Sequence, residues 1–175
     1  MNEAIAVIDV QKGFITPVSA HVPRHVRTLI EHVPFAHRIF TCFRNPPDSP
    51  YEKLLHWTHL REAPETDIVD ELQGQATLIV DKSTYSSLTA EFLRYLETHR
   101  IREVYLAGID TEACVLKTAV DLFEANYRPI VLADCCMSHA SLSLHRMGLD
   151  LLTRFIGKDQ IVYDSFEYFL NPSDP

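Results

Sequence analysis

Residues 104–115 read VYLAGIDTEACV, an apolar run that passes through Gly108 straight into the start of a helical pattern. A buried strand that leads directly into a helix is the unit from which parallel α/β sheets are built. If Thr111 is the N-cap, Cys114 lies in the first turn, where unpaired backbone N–H groups carry partial positive charge and favour a thiolate. The stretch therefore predicts the fold class and a reactive cysteine, with a buried and inert helix cysteine as the alternative.

Similar apolar runs recur along the chain without strict alternation, which is typical of strands buried on both faces of a parallel sheet. They lie at residues 4–10, 38–43, 77–81, 103–107, 129–133 and 160–163. Helical periodicity separates most of them, over residues 25–32, 89–99, 112–126 and 142–155. This alternation predicts a three-layer α/β/α fold with right-handed crossovers, and the whole chain, residues 1–175, is expected to form one domain.

Composition narrows the classes of function. The chain has 175 residues, 46% of them hydrophobic, and a net charge of -8 without a Lys/Arg cluster, which argues against a nucleic-acid partner. No apolar run approaches the ~20 residues of a membrane helix, and the first residues lack a signal-peptide pattern. Four cysteines without metal-finger spacing indicate reduced thiols, so we expect a cytoplasmic protein that contacts neither nucleic acid nor membrane.

Two further strand ends carry groups that could act with Cys114. Asp9 closes the first strand and Lys82 follows the third. Ligands of open α/β sheets bind beyond the carboxyl ends of the strands, so an acid and an ammonium there could share one crevice with the thiol. Taken singly, Asp9 could be a turn residue and Lys82 a solvated surface lysine, but the three together favour activated-thiol chemistry.

Residues 44–72 form the one long irregular segment, and their four prolines make continuous regular structure improbable there. Connections of this length in a small domain are often lids or binding loops. Trp57 within the segment could stack on a substrate or pack the loop against the protein, and both interpretations stay open.

Three segments resemble the signatures of the isochorismatase-like cysteine hydrolases, a family that includes nicotinamidases, N-carbamoylsarcosine amidases and ureide-type amidases. They are residues 7–11 (VIDVQ), 81–86 (DKSTYS) and 108–115 (GIDTEACV), and the last is the most specific. The resemblance runs in order over most of the chain. It implies a six-stranded, mainly parallel sheet with helices on both faces.

The resemblance also implies a catalytic triad of Asp9, Lys82 and Cys114 and a cis peptide before Asp110. The backbone N–H groups of Asp110 and Cys114 would form an oxyanion hole. The activity it implies is hydrolysis of a C–N bond in a small amide, carbamoyl or ureido compound through a thioester, without a cofactor. Family members are commonly dimers or tetramers, so a homo-oligomer is expected.

Candidate substrate-binding residues are Gln11, Phe14, Asn45, Trp57 and Tyr85, and Asp110 is a further candidate wall of the pocket. Gln11 could instead orient Asp9, or could simply be a polar loop residue.

The chain departs from the family pattern at the metal site of nicotinamidases, because the Asp-x-His pair expected after the second strand is missing. His56 and His59 are too few for a site, so no metal is expected and nicotinamidase activity is disfavoured. Vinyl ether hydrolysis, as in isochorismatase, stays an alternative because Asp9 alone could serve as its acid. The remaining alternative is a catalytically silent binding domain of the same fold.

Overall fold

The computed structural model describes residues 3–170, so the two ends of the predicted domain, residues 1–2 and 171–175, lie outside the described residues. Its strands are β1 (Glu3–Ile8), β2 (Arg38–Phe43), β3 (Leu78–Lys82), β4 (Glu103–Ile109), β5 (Arg128–Met137) and β6 (Ile161–Val162). Its helices are α1 (Val22–His32), α2 (Pro50–Leu55), α3 (Ala90–Thr98), α4 (Leu116–Glu124), α5 (Leu142–Ile156) and α6 (Ser165–Leu170). Among these residues, no helix is long and apolar enough to cross a membrane.

The six strands form one parallel sheet in the order β3-β2-β1-β4-β5-β6. This confirms the predicted fold class. The chain moves outward in one direction from β1 to β3 and then returns to the other side of β1 with β4. Strand order therefore reverses between β1 and β4, and in such sheets the ligand crevice opens beyond the carboxyl ends of those two strands.

Both faces of the sheet are covered, which explains why the strands lack polar alternation. In β1, Ala4, Ala6 and Ile8 belong to the core cluster that packs against α3, α4 and α5. The intervening Ile5 and Val7 belong to a second cluster, with α1 and α6 on the opposite face. All five side chains are at most 1% exposed, so successive residues of one strand serve two cores.

The sheet is irregular where β4 meets β5. Leu106 pairs with Val131, but Gly108 pairs with Cys136, so β5 carries extra residues and runs to Met137 instead of ending at residue 133 as predicted. Gly108 has a φ of 132°, and a Cβ atom there would lie 2.1 Å from the carbonyl oxygen of Ile8. Only glycine lets β1 and β4 approach so closely at the switch point.

Two short helices were not predicted. The N-cap of α2 is Ser49, whose hydroxyl accepts a hydrogen bond from the Glu52 N–H at 3.2 Å, and Pro50 occupies the first helical position. The N-terminus of α6 is held by a residue that is distant in sequence. The Asp134 carboxylate in β5 accepts hydrogen bonds from both the N–H and the hydroxyl of Ser165. The irregular segment, residues 44–72, therefore contains the short helix α2, which begins at a proline, and a 3-10 turn at Asp70–Leu72.

Candidate active site

The fold brings the three predicted reactive side chains to one point at the carboxyl edge of the sheet. Asp9 follows β1, Lys82 ends β3, and Cys114 lies in the turn after β4. The Lys82 Nζ atom lies 2.6 Å from Asp9 Oδ2 and donates a hydrogen bond to Cys114 Sγ at 3.6 Å. The side chains of Asp9 and Lys82 are both 0% exposed, so this ion pair is removed from water.

Lys82 must reach across a strand to make these contacts. It starts on edge strand β3, two strands and therefore about 10 Å from β1. Its ammonium lies over the Phe43 ring of β2, 5.2 Å from the ring centroid, and also donates to the Thr84 carbonyl oxygen at 2.8 Å. Burial alone would lower the pKa of Lys82, but Asp9 and the Cys114 sulfur together raise it, so the ammonium stays charged.

Asp9 is held by its own backbone geometry and by a threonine that the sequence analysis did not identify. Its φ is 51°, a left-handed conformation that aspartate tolerates better than most residues. The Thr41 hydroxyl donates to Asp9 Oδ1 at 2.6 Å and accepts from the Asp9 N–H at 3.2 Å. A single threonine in the middle of the otherwise apolar part of β2 (residues 39–43, IFTCF) was the signal available in the sequence.

The turn that carries Cys114 differs from the one predicted. Residues Thr111–Val115 form a single π-helical turn before α4, with the Val115 N–H bonded to the Asp110 carbonyl oxygen at 3.0 Å. Thr111 is not the N-cap, because its hydroxyl pairs with His145 Nδ1 at 2.7 Å. π-Helical turns of this kind are frequent at functional sites.

The surroundings of Cys114 oppose the thiolate that its position at the start of a helix favours. The residue is only 5% exposed. Burial first, and then the Asp9 carboxylate, raises the pKa of the Cys114 thiol well above its ordinary value, and the Lys82 ammonium opposes this only in part. The two effects outweigh the partial positive charge of the turn. The site therefore favours the thiol form of Cys114 beside the buried Lys82–Asp9 contact.

A cavity of about 310 Å³ opens above the sulfur. Its walls are mainly aromatic. Among the lining residues in the described part of the chain, Asp110 and His139 are the only titratable groups besides the thiol and two tyrosines. The lining residues are Phe14, Phe43, Tyr51, Leu55, Trp57, Tyr85, Asp110, Ala113, Cys114 and His139. Of the predicted binding residues, Phe14, Trp57 and Tyr85 are in this lining, and so is Asp110.

Trp57 combines the two roles that the sequence left open. It lines the cavity, and its ring also stacks on Phe14 with centroids 6.1 Å apart and planes at 13°. The same stacking packs the irregular segment onto the turn after β1. One side chain thus fixes the loop and presents an aromatic surface to the cavity.

Gln11 and Asn45, expected to contact a substrate, are absent from the lining and instead tie loops together. The Gln11 side-chain amide donates to the carbonyl oxygens of Phe43 and Thr66 and accepts from the Phe43 N–H at 2.7 Å. The Asn45 side chain donates to the Trp57 and His59 carbonyls and accepts from Ser49. Because backbone groups and the Ser49 hydroxyl occupy these amides, both residues support the cavity wall from behind.

Asp110 enters the cavity with a partner that the sequence analysis passed over. The peptide between Ile109 and Asp110 is cis. The His139 backbone N–H donates to Asp110 Oδ1 at 2.6 Å, and His139 Nδ1 lies 2.7 Å from Oδ2. The hydrogen bond to Asp110 raises the pKa of His139 against the effect of burial. No signal in the sequence distinguished His139, and the extension of β5 to Met137 brings this histidine beside Asp110.

Comparison with known proteins shows the family of the chain. A family model described as "Isochorismatase domain" matches residues 3–158. The chain belongs to the isochorismatase family. Isochorismatase domain-containing protein 2 of Xenopus laevis is 37% identical to it over 75 residues, which cover 42% of this chain and 37% of that protein.

Two further matches cover more of the chain. Nicotinamidase of Saccharomyces cerevisiae is 26% identical over 135 residues, which cover 65% of this chain and 62% of that enzyme. The isochorismatase-family chain therefore spans less than two thirds of the length of each of these two curated relatives. An isochorismatase-like hydrolase from Alkaliphilus metalliredigens superposes with a TM-score of 0.86 at 22% identity. That match covers 99% of this chain and 100% of the other, which confirms the fold.

The two histidines considered as metal ligands are both exposed. His56 is the C-cap of α2, and His59 pairs with the Glu65 carboxylate at 3.0 Å. Within the described ranges of this isochorismatase-family protein, no group of three or more His, Cys, Asp or Glu side chains is arranged to hold a metal ion. The residues present therefore do not fit a metal site of the nicotinamidase kind.

The raised thiol pKa predicts how Cys114 reacts with iodoacetamide. Alkylation requires the thiolate, and a higher pKa leaves less thiolate at each pH. Labelling of Cys114 should therefore be slow at pH 7 and still increase above pH 9, as followed by peptide mass spectrometry. In Asp9→Asn one cause of the high pKa is removed, so labelling at pH 8 should become several-fold faster. A plateau below pH 7 in the unmodified protein would contradict the buried-thiol assignment.

The turn that carries Cys114 rests against α5 at a glycine. A Cβ atom at Gly148 would lie 2.8 Å from the Glu112 backbone nitrogen and 2.9 Å from its Cα. Alanine normally stabilises a helix relative to glycine by about 1 kcal/mol, but this overpacking is expected to cost about 1–3 kcal/mol. Gly148→Ala should lower both Tm and kcat/KM, whereas Ser143→Ala, exposed on the same helix, should change neither. An unaltered Tm would mean that the turn and α5 separate easily.

Proposed function

We propose that this protein is a cysteine-dependent hydrolase that cleaves the C–N bond of a small amide, carbamoyl or ureido compound. The observation that carries the proposal is the single ammonium of Lys82, which contacts a buried carboxylate at 2.6 Å and a thiol at 3.6 Å beside a small cavity. Nucleophile, base and cation within hydrogen-bond reach are the parts that covalent catalysis by a thiol requires. The similarity to a nicotinamidase supports an amide as the substrate.

The first half of the reaction forms a thioester. The Asp9 carboxylate removes the proton from Cys114 Sγ as the sulfur attacks the carbonyl carbon. The carbonyl oxygen takes up the electron pair of the broken π bond. When the tetrahedral intermediate collapses, the C–N bond breaks and Asp9 returns its proton to the leaving nitrogen, which departs as ammonia or an amine. The Lys82 ammonium contacts the Asp9 carboxylate at rest and compensates the thiolate as it forms.

The second half reverses the proton movements with water. Asp9 removes a proton from a water molecule that attacks the thioester, and the C–S bond breaks. The sulfur then recovers its proton from Asp9, and the acid product leaves. Because Asp9 is the base in each attack and the acid in each collapse, one carboxylate is sufficient for both halves.

The backbone N–H groups of Asp110 and Cys114 are proposed as the oxyanion hole. Both residues line the cavity, and Cys114 carries the attacking sulfur, so the oxyanion would form beside them. A donor of this type contributes about 3–4 kcal/mol to transition-state stabilisation in other enzymes. The short turn that positions the thiol would thus also position the donors.

A catalytically silent binding domain is the second candidate, and the burial of the ion pair argues against it. Removing two charges from water is unfavourable by several kcal/mol per ion before their attraction compensates. A binding module does not need a desolvated Asp9–Lys82 pair aimed at a thiol. We also propose that the protein is a homo-oligomer, which light scattering on the purified protein tests directly.

The proposal is tested by ammonia release and by trapping the thioester. Nicotinamide, N-carbamoyl amino acids, ureidoacrylate, biuret and simple aromatic amides are incubated with the protein, and ammonia is measured. Hydroxylamine added to a positive reaction should compete with water for the thioester and yield the hydroxamate. Isochorismate is assayed separately for vinyl ether cleavage. Ammonia release without any hydroxamate would argue against a thioester, and cleavage of isochorismate alone would overturn the amide assignment.

A further inference from the structure

The cavity above Cys114 is walled by aromatic rings that present faces and edges to its interior. The Phe14 and Trp57 rings are nearly parallel, and the Phe43 centroid lies 5.9 Å from that of Trp57. Tyr51 links the set, with its ring 5.0 Å from Phe43 and 5.2 Å from Tyr85. All five residues line the cavity. Such walls favour a flat and largely apolar molecule, which can stack on one ring and meet the edge of another.

Charge in the lining is confined to one pair of side chains. Within residues 3–170, the cavity lining contains Asp110 and His139 but no lysine or arginine. His139 uses both its backbone N–H and its Nδ1 on the Asp110 carboxylate. When His139 is protonated the pair is neutral, and when it is not the pair carries one negative charge. In neither state does this wall offer a net positive charge to a ligand.

The ammonium nearest to the cavity is already fully engaged. Lys82 Nζ is in contact with Asp9 Oδ2 at 2.6 Å, the Thr84 carbonyl oxygen at 2.8 Å and Cys114 Sγ at 3.6 Å. An ammonium has three protons, so each of these contacts can use one. The Lys82 side chain is also 0% exposed. It cannot bind a substrate carboxylate without leaving Asp9.

The pKa values of the two tyrosines in the cavity wall are raised by their surroundings. Burial first, and then Tyr85, Cys114 and Asp9, raises the pKa of Tyr51 to about 12. Burial, Cys114 and Asp110 also raise the pKa of Tyr85. Of these causes, burial and the Asp9 and Asp110 carboxylates act while Cys114 and Tyr85 are neutral, and they disfavour a further anion in the cavity as they disfavour a phenolate.

We infer that the cavity selects amides with a flat, uncharged body and discriminates against substrates that carry a carboxylate. This specificity rests on the proposed amide hydrolysis and names the substrate class within it. Among the compounds proposed for the ammonia assay, it favours uncharged aromatic amides over ureidoacrylate and carbamoyl amino acids. It also disfavours isochorismate, whose carboxylates would meet Asp110 and no free cation.

Two nearly isosteric ligands test this selection. Terephthalamide and terephthalamate differ only in an amide and a carboxylate at one end of the same ring. Trp57 is the single tryptophan of the chain, so its fluorescence reports occupancy of the cavity. In Cys114→Ala, which cannot turn over, terephthalamide should bind at least about tenfold more tightly at pH 7 because like charges at short range repel. Equal or tighter binding of terephthalamate would overturn the inference, and so would failure of both ligands to bind.

A charge introduced at the rim provides an independent check. Leu55 lies at the end of α2, lines the cavity and is 60% exposed, so its substitution should not disturb folding. In the Cys114→Ala background, Leu55→Arg should reduce the preference for terephthalamide at least threefold by improving binding of terephthalamate. The matched variant Leu55→Gln should leave the preference unchanged. A preference that Leu55→Arg does not alter would show that charge is not its cause.

Counting ammonia separates this inference from the proposed function. Hydrolysis of one amide of terephthalamide consumes one water and yields terephthalamate and ammonium. The unmodified protein should therefore release one equivalent of ammonia and stop, because the product is the disfavoured anion. Release of two equivalents at similar rates would reject the selection and leave the hydrolase proposal standing. No ammonia from any amide would reject the hydrolase proposal, while the binding ratio would still decide the selection.

Discussion

Replacing Cys114 with alanine is expected to lower kcat/KM for amide hydrolysis by about three to six orders of magnitude, the range seen when a covalent nucleophile is removed from a catalytic triad. Without the sulfur no thioester can form, and the remaining cavity can only bind the substrate. The measurement is ammonia release under conditions of saturating and limiting substrate. Circular dichroism establishes that the variant is folded.

The matched control for this variant is Cys135→Ala. Cys135 is also fully buried, and burial raises the pKa of its thiol to about 12, but it belongs to the core cluster on the face of α1 and α6. Its substitution should leave kcat/KM within about threefold and reduce stability by about 1 kcal/mol. Substantial turnover by Cys114→Ala would refute the covalent route, and equal losses in both variants would indicate a folding defect.

The second large effect is expected for Asp9→Asn, which should reduce both activity and stability. The amide keeps the shape of the carboxylate but cannot accept the thiol proton, so kcat/KM should fall at least about a thousandfold. It also leaves the Lys82 ammonium buried and unpaired, which is expected to destabilise the protein by about 3–5 kcal/mol. Urea unfolding and the ammonia assay measure the two losses separately.

Two further variants give this prediction its controls. Asp81→Asn changes the residue next to Lys82, but the Asp81 side chain is 61% exposed and pairs with Arg44 at the surface, so the expected loss of stability is about 0–1 kcal/mol. In the double variant Asp9→Asn/Lys82→Met the unpaired charge is gone, so much of the stability should return while activity stays absent. Wild-type stability of Asp9→Asn alone would show that the ion pair is not closed in solution.

Much of the fold was predictable because buried parallel strands have a strong sequence signal. Strand β2 was predicted with its observed bounds, and most of the other strands within two residues. The extension of β5 was not predictable, since it depends on the shift of register opposite Gly108, a property of two strands together. Helix α6 was not predictable either, because six residues show no clear periodicity. Its N-terminus is held by Asp134 of β5, a contact that the sequence does not show.

For the candidate site, strand ends pointed to Asp9 and Lys82, and a strand–helix junction pointed to Cys114. The sequence could not show that Thr41 would anchor Asp9, since that contact joins residues on two strands. It also suggested substrate contact for Gln11, whose amide is taken up by backbone groups of β2 and the following loop. Polar side chains near a crevice look alike in a sequence, and only packing decides which of them face the ligand.

The hydrogen bonds of His139 to the Asp110 carboxylate bear on how the product of the proposed reaction leaves the cavity. Hydrolysis of an uncharged amide creates an acid that is ionised at neutral pH. Among residues 3–170, the cavity wall provides the Asp110 carboxylate and no lysine or arginine. The proposed hydrolase should therefore release its acid product readily and show little product inhibition. Condensation of acid and ammonia, the reverse process, would lack a bound starting state.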